Sequence, residues 1–442
     1  MTKKSFYLEG NYAPVMHEVT AENLAVRGAI PRELHGLYLR NGPNPRAGTS
    51  SHWFFGDGMI HGIELGDGAV RWYRNRWVRT RTFLEDAAVI SPAGEVDLTA
   101  GPANTHVVEH AGRIFALVES SYPTELTREL DTLGTCDFDG KLRTAMTAHP
   151  KRCPRSGELH FFGYGFVPPY LTYHVLDAAG RLVRSEEITV AGPTMIHDFA
   201  ITDRHVIFMD LPVCFDLERA MRGSMPYRWD DNYGARIGVM PRDRHNGNAR
   251  DVRWFEVAPC YVFHPMNAYE DAGGNVVIDV VRYETLWRDT VDRFDAARLH
   301  RWTIDPGAGR VAEAALDDRT IEFPRVDERC TGGEHRYGYA VANPGGGVNQ
   351  PATKLLKYDL RSGRVEEHDF GPGRVPGEGV FAPASDRAGE DEGWVMTYVY
   401  DAGDDASDFV VLDAQKFSAP PVAVARLPQR VPYGFHGSWI PD

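Results

Sequence analysis

The sequence predicts an all-β fold, a β-propeller, on three observations: one hairpin design recurs along the chain, no linker divides it, and helical periodicity is scarce. The recurring design is an alternating run of aromatic or β-branched residues, an Asp, a Gly-bearing turn, a basic residue and a second alternating run. Period-2 alternation half-buries each strand, while Asp and Gly supply turn chemistry and left-handed backbone.

In chain order the hairpins are "IELGDGAVRWYRNRWV" (63–78), "TCDFDGKLRTAMTA" (135–148), "LTYHVLDAAGRLVRSEEITV" (171–190), "RWTIDPGAGRVAEAAL" (301–316) and "LLKYDLRSGRVEEHDF" (355–370). Such repeats without a Ser-rich or charged linker read as one closed assembly, residues 1–442 forming a single domain. With seven blades the 442 residues give about 63 per blade, against roughly 40 to 50 in compact propeller repeats, so the surplus goes to loops and caps. Helix is expected only at "DLERAMRG" (216–223) and "TLWRDTVDRFDAARLH" (285–300), which have some i, i+4 apolar spacing. Pro- and Gly-rich loops at 41–58, 341–351 and 371–383 are placed to roof one face, and loops of that kind carry function.

Composition narrows the partners. A formal charge of −14 leaves no basic footprint for nucleic acid. The first residues, MTKKSFYLEG, lack an apolar leader core, and no stretch approaches the roughly 18 apolar residues of a membrane span, so a cytoplasmic protein is expected. Cys136, Cys153, Cys214, Cys260 and Cys330 are scattered and odd in number, which fits reduced, buried thiols. A monomer is the default expectation.

Histidine is where chemistry concentrates, with two decoys among the 17. "HVVEH" (106–110) matches the text of an inverted zinc-protease motif, which needs both histidines on one helical face. Val107 and Val108 favour a strand instead, where Glu109 points away from His106 and His110. In "HWFFGDGMIHG" (52–62), His52, Asp57 and His61 are explained by turn capping and strand packing. Four others differ: His149 in "TAHPK", His197 in "TMIHDFAIT", His264 in "YVFHPMNAYED" and His436 in "YGFHGSW". Each sits at the edge of an apolar strand-like run, and two precede Pro, which ends a ladder. Taken singly, each is accounted for by core packing. Taken together, they suit a metal on a common axis, with imidazole matching iron, copper or zinc.

The frame around these four closely resembles the carotenoid cleavage oxygenase family, which includes stilbene-cleaving enzymes. The matching stretches are "LYLRNGPNP", "HWFFGDGMIHG", "ANTHVVEHAGRIFALVES", "TAHPKRCPRSGELHFFGYG", "IHDFAIT", "VFHPMNAYED", "IEFPRVDERCTG", "GEGVFAP" and "FHGSW", in family order over nearly the whole chain. The resemblance implies a seven-bladed propeller with a loop and helix cap, and a non-heme Fe(2+) held by His149, His197, His264 and His436. It implies that Glu119, Glu322 and Glu378 orient His197, His264 and His436 respectively, and it leaves His149 in need of another acceptor. Carboxylates on the outer ring nitrogens would fix the tautomer and supply negative charge.

The resemblance also implies the reaction: O2 adds across an electron-rich C=C bond and scission yields two carbonyl fragments, with Thr105 obstructing one metal position. Val118 stands where the family's stilbene and phenylpropanoid cleavers place a lysine for the substrate phenol. An apolar side chain there leaves a phenolate unpaired, so carotenoid or apocarotenoid substrates are favoured over resveratrol- or isoeugenol-like ones. Phe55 and Phe435 are candidate substrate-lining aromatics, a role core packing explains as well. No strongly amphipathic apolar segment for membrane docking is evident, so any membrane contact is expected to be transient. The rival readings are isomerisation with ester cleavage, a catalytically silent propeller that binds a partner, and a three-histidine zinc hydrolase.

Overall fold

Asp67 and Gly68 both have positive φ, 54° and 77°, and that backbone turns strand Gly58–Gly66 directly into strand Ala69–Trp77. The turn is the primed type that matches strand twist, and Asp-Gly is the pair that adopts it at least cost. The same logic builds the sheets in turn. The protein is described by a computed structural model covering residues 6–91, 93–242, 252–291, 293–342 and 352–442. Residues 1–5, and positions 343–351 of the loop expected at 341–351, lie outside these residues.

The chain divides into two compact units. The first comprises Met1–Arg143, Ala352–Lys357 and Val365–Asp442. One of its sheets has the order Thr20–Leu24, Ala69–Trp77, Gly58–Gly66, Gly36–Pro43, Gly437–Pro441, so the last strand of the chain pairs with one of the first. A second is the meander His106–His110, Arg113–Leu117, Thr124–Leu126, Thr132–Thr135. A third runs from Val26–Gly28 through Ala423–Arg426, Ala406–Asp413 and Gly393–Asp401 to Arg374–Pro376, with Val380–Pro383 also on Gly393–Asp401. Alternation along Gly36–Pro43 sends Leu37 and Leu39 into one core with Val107 and Ala116, and Tyr38 into another with Tyr398 and Phe409.

The second unit comprises Thr144–Pro351 and Tyr358–Arg364. It carries the meanders Lys151–Arg152 to Leu182–Glu187 and Ala200–Ile201 to Arg253–Glu256, and the ladder of long strands Tyr261–Glu270, Val276–Tyr283, Ala297–Asp305 and Arg310–Arg325 followed by Tyr337–Ala342. Its core includes Phe162, Tyr173, Phe199 and Phe208. Among the described residues no helix is long and apolar enough to cross a membrane.

Two sequence expectations are corrected. Residues 285–300 are not helical: Trp287 has φ of +55°, and the stretch is irregular before strand Ala297–Asp305 begins. The apolar spacing there serves a different purpose, since Trp287 and Phe294 pack on Phe263 at 5.9 Å each. Helix does form at Leu217–Met221, capped by Asp216. Residues 135–148 make no hairpin either, because Phe138, Asp139 and Gly140 are all left-handed and carry the chain away from strand Thr132–Thr135. Leu142 and Met146 are buried from a loop rather than from a returning strand.

Candidate metal centre

In the second unit, three histidines reach one place from three sheets, each at the start of a sheet's first strand. His149 precedes Lys151–Arg152, His197 precedes Ala200–Ile201, and His264 lies in Tyr261–Glu270, an edge strand where Pro265 costs no ladder bond. Their ring centroids are 4.6, 5.0 and 5.2 Å apart. His149 and His264 are buried and His197 is half-buried. Thr147 ties two of the segments, accepting from the His149 N–H at 3.1 Å and donating to the His197 carbonyl at 3.3 Å.

His264 is held from behind. Its Nδ1 lies 2.6 Å from Glu322 Oε2, which also accepts from the Phe323 N–H at 2.7 Å, while Glu322 Oε1 accepts from the Tyr283 hydroxyl at 2.7 Å. A carboxylate on Nδ1 makes that nitrogen the donor and turns Nε2 towards the cluster. The backbone bends to deliver this arrangement: Phe323 has φ of +53° at a register shift, and its ring stacks on His264 at 5.7 Å. A bulky residue in left-handed backbone costs on the order of 1–3 kcal/mol and persists where surrounding packing enforces it. Burial pushes the Glu322 carboxyl up, but His264 and the hydrogen bonds outweigh burial and hold it below the ordinary range.

His149 meets a different carboxylate. Asp198 Oδ2 is 3.7 Å from His149 Nδ1, and Lys151 Nζ is 2.8 Å from Asp198 Oδ1. Burial raises the Asp198 carboxyl, with Lys151 and the Phe199 N–H acting the other way.

The first unit carries His436 and Glu378, both buried. His436 Nδ1 is 2.9 Å from Glu378 Oε1, and Glu378 Oε2 accepts from the Gly437 N–H at 2.9 Å. Thr105 accepts the His436 N–H on its carbonyl at 3.2 Å, and its hydroxyl donates to Asn104 at 3.0 Å. Asn41 aligns these segments: its side chain donates to Ala103 and His106 carbonyls at 2.8 and 2.9 Å, and its backbone exchanges bonds with Phe435 and His436. Gly42 lets the chains close, since a Cβ there would sit 2.6 Å from Gly434 Cα.

Other predicted residues fall nearby in the sequence. Val118 and Phe435 are buried, and Phe435 packs on Trp53 and Phe54 at 4.8 and 5.4 Å. Glu119 is half-buried just after strand Arg113–Leu117. Phe55 is 43% exposed, so it is not core. The decoys resolve as capping and packing. Glu109 accepts from the Gly112 N–H at 2.6 Å on a strand, His52 caps Phe54, Asp57 accepts from Arg46, and His61 pairs with Tyr73. Tyr283, Asp198, Lys151 and Asn41 were not singled out by sequence. Asn41, Lys151 and Asp198 had a signal, their places in "LYLRNGPNP", "TAHPK" and "IHDFAIT", and Tyr283 had none.

The donor set fits a transition metal. His149, His197 and His264 each offer a ring nitrogen within 4.8 Å of the others, and His149 Nε2 lies 3.0 Å from His197 Nε2. Imidazoles at right angles on a metal, with bonds of about 2.1 Å, hold their nitrogens about 3 Å apart. Neutral nitrogen ligands suit iron, copper or zinc.

Comparison with known proteins places the chain. A family described as "Retinal pigment epithelial membrane protein" matches residues 12–441. A protein of Mycobacterium tuberculosis named "Carotenoid cleavage oxygenase" is 42% identical over 98% of this chain and 97% of its own. The solved lignostilbene dioxygenase of Pseudomonas brassicacearum superposes with a TM-score of 0.89 at 31% identity, covering 99% of this chain and 98% of its own. The cobalt-substituted apocarotenoid oxygenase of Synechocystis gives 0.86 at 29%, covering 97% of each.

Proposed function

The chain belongs to the carotenoid cleavage oxygenase family, and on that premise we propose that it is a non-heme iron(II) dioxygenase cleaving a C=C bond of a carotenoid or apocarotenoid. Its fold is the all-β, seven-bladed propeller of its solved relatives, and its class is that of oxygenase-type dioxygenases. The observation that carries the reading is the cluster of three imidazoles with a carboxylate behind His264.

His149, His197, His264 and His436 hold the ion. His436 joins the set on its family position and its identical preparation, a buried ring with Nδ1 on a glutamate. Glu322 and Glu378 keep the Nδ1 protons of His264 and His436 in place, and Glu119 serves His197. Bound ferrous iron supplies the activation of O2. The protein positions the alkene and excludes water, with Val118 and Phe435 as apolar walls, Phe55 at the exposed rim and Thr105 narrowing the approach. The reaction balances without another reductant: one C=C bond and one O2 give two C=O groups.

Val118 favours a polyene, since it gives a phenolate no partner. The lignostilbene dioxygenase match supports a second reading, a stilbene-type alkene. Transient contact with a lipid surface fits the patch where Phe166 stacks on Phe215 at 4.7 Å and Val167, Leu217 and Met221 are exposed. Five unbridged cysteines fit a cytoplasmic, reducing setting. We read the chain as one domain and a monomer.

The test is an aerobic screen of the Fe(II)-loaded protein against apocarotenals, β-carotene, resveratrol and isoeugenol. Oxygen uptake matched by aldehydes from the polyenes is expected. Turnover without oxygen uptake, or no stoichiometric iron, overturns the reading.

A further inference from the structure

We propose that Asp198, fixed by Lys151, is a positioning residue for His149, the carboxylate on its Nδ1 side as Glu322 is on that of His264, at a longer distance. The inference rests on the proposed iron site. His149 is the ligand to which the family pattern assigns no glutamate. Asp198 is the carboxylate facing its Nδ1, at 3.7 Å, and it is 2% exposed on its side chain. A carboxylate so deeply buried is costly unless it is paired and hydrogen-bonded. Here Lys151 Nζ contacts both oxygens, at 2.8 and 3.0 Å, and the Phe199 N–H donates to Oδ1 at 2.7 Å.

The pair spans two ligand segments. Lys151 lies two residues after His149, and Asp198 directly follows His197. It therefore fixes the spacing of the two imidazoles whose Nε2 atoms are 3.0 Å apart. The longer 3.7 Å separation makes Asp198 act through its charge on the Nδ1 side of His149, where Glu322 acts through a direct 2.6 Å bond.

The experiment compares Fe(II) affinity by chelator competition, the visible spectrum of the Co(II)-substituted protein, and the melting temperature of the metal-free protein. Asp198→Asn keeps the shape and the acceptor for Phe199 while removing the charge. It should weaken Fe(II) binding roughly 10–100-fold and alter the Co(II) spectrum, while the metal-free melting temperature also falls because Lys151 loses its partner. Lys151→Arg, which preserves the pair, should retain wild-type affinity. Wild-type Fe(II) affinity and an unchanged Co(II) spectrum in Asp198→Asn overturn the assignment alone. So does a loss of affinity no larger than the loss of metal-free stability with the Co(II) spectrum unchanged, which marks a structural tie. Wild-type protein that takes up no Fe(II) overturns the iron site itself and this assignment with it.

Discussion

Two regions of the second unit bury histidines in opposite ways. In the meander containing Leu159–Tyr164 and Leu171–Leu176, His160 meets the Tyr173 hydroxyl at 2.6 Å and Arg242 at 2.9 Å, while His174 meets Ser185 at 2.8 Å and Thr144 at 2.9 Å. Both nitrogens of each ring are consumed by neighbours, which leaves no lone pair for a metal. At the cluster, His264 spends Nδ1 on a carboxylate and presents Nε2 to His149 and His197. Burial therefore does not mark a ligand. The mark is a carboxylate on one nitrogen and other imidazoles around the second.

The sharpest way to break this distinction is to delete one histidine from each region. His264→Ala should abolish stoichiometric iron while the protein stays folded. His174→Ala should keep full iron and lose about 1–3 kcal/mol of stability, the cost of leaving Ser185 and Thr144 partly unsatisfied. Elemental analysis and denaturant melts read both. Equal iron loss in the two variants would erase the difference, and full occupancy in His264→Ala removes that residue from the ligand set.

The carboxylates come next in size. Glu322→Gln and Glu378→Gln should each weaken iron binding roughly 10–100-fold, whereas Ser185→Ala, on the other kind of histidine, should leave it unchanged. Fe(II) titration against a competing chelator decides, and a glutamine variant with wild-type affinity separates orientation from affinity at that ligand.

Acid should act on the region of His160 and His174. Burial lowers His174 from 6.5 to about 4, and burial takes His160 well below its usual value too. The unfolded chain binds these protons near 6.5, so stability is complete at pH 7 and falls as pH drops from about 6.5 towards 4. His174 alone contributes at most about 3 kcal/mol to that slope. Urea melts at pH 7, 5.5 and 4.5 should show the decline, with a shallower one in His174→Asn. A slope unchanged by that substitution would mean that His174 titrates alike in both states.

Legibility of the sequence divided along a physical line. Asp67-Gly68 announced its turn because the local backbone demands those residues, and "HVVEH" read correctly as strand because β-branched neighbours decide locally. The apolar spacing of 285–300 misled because Trp287 and Phe294 answer to Phe263, more than twenty residues away in the chain. At the site, His149, His197 and His264 were legible through ordered motifs. Tyr283 was not, and Asp198 and Lys151 stood inside those motifs without a legible role, since a contact made only in the folded chain carries no spacing signal. Tyr283 looks like any strand tyrosine until its hydroxyl is found on Glu322.

That tyrosine gives the smallest of the expected effects and probes how far from the metal position the difference between the regions extends. Tyr283→Phe removes one bond to Glu322 Oε1 and leaves those from His264 and the Phe323 N–H. The ring stays in its pocket beside Phe263, 5.6 Å away, so packing is conserved. A single hydrogen bond is worth about 0.5–1.5 kcal/mol net, which converts to roughly a two- to tenfold loss of iron affinity. Phenylalanine at Tyr173, the hydroxyl partner of His160, is the matched control and should change melting temperature without changing iron affinity. If both substitutions leave iron binding untouched, the support for His264 ends at Glu322. If both weaken it, the hydroxyl-bound histidines are coupled to the centre, and the two regions differ in degree rather than in kind.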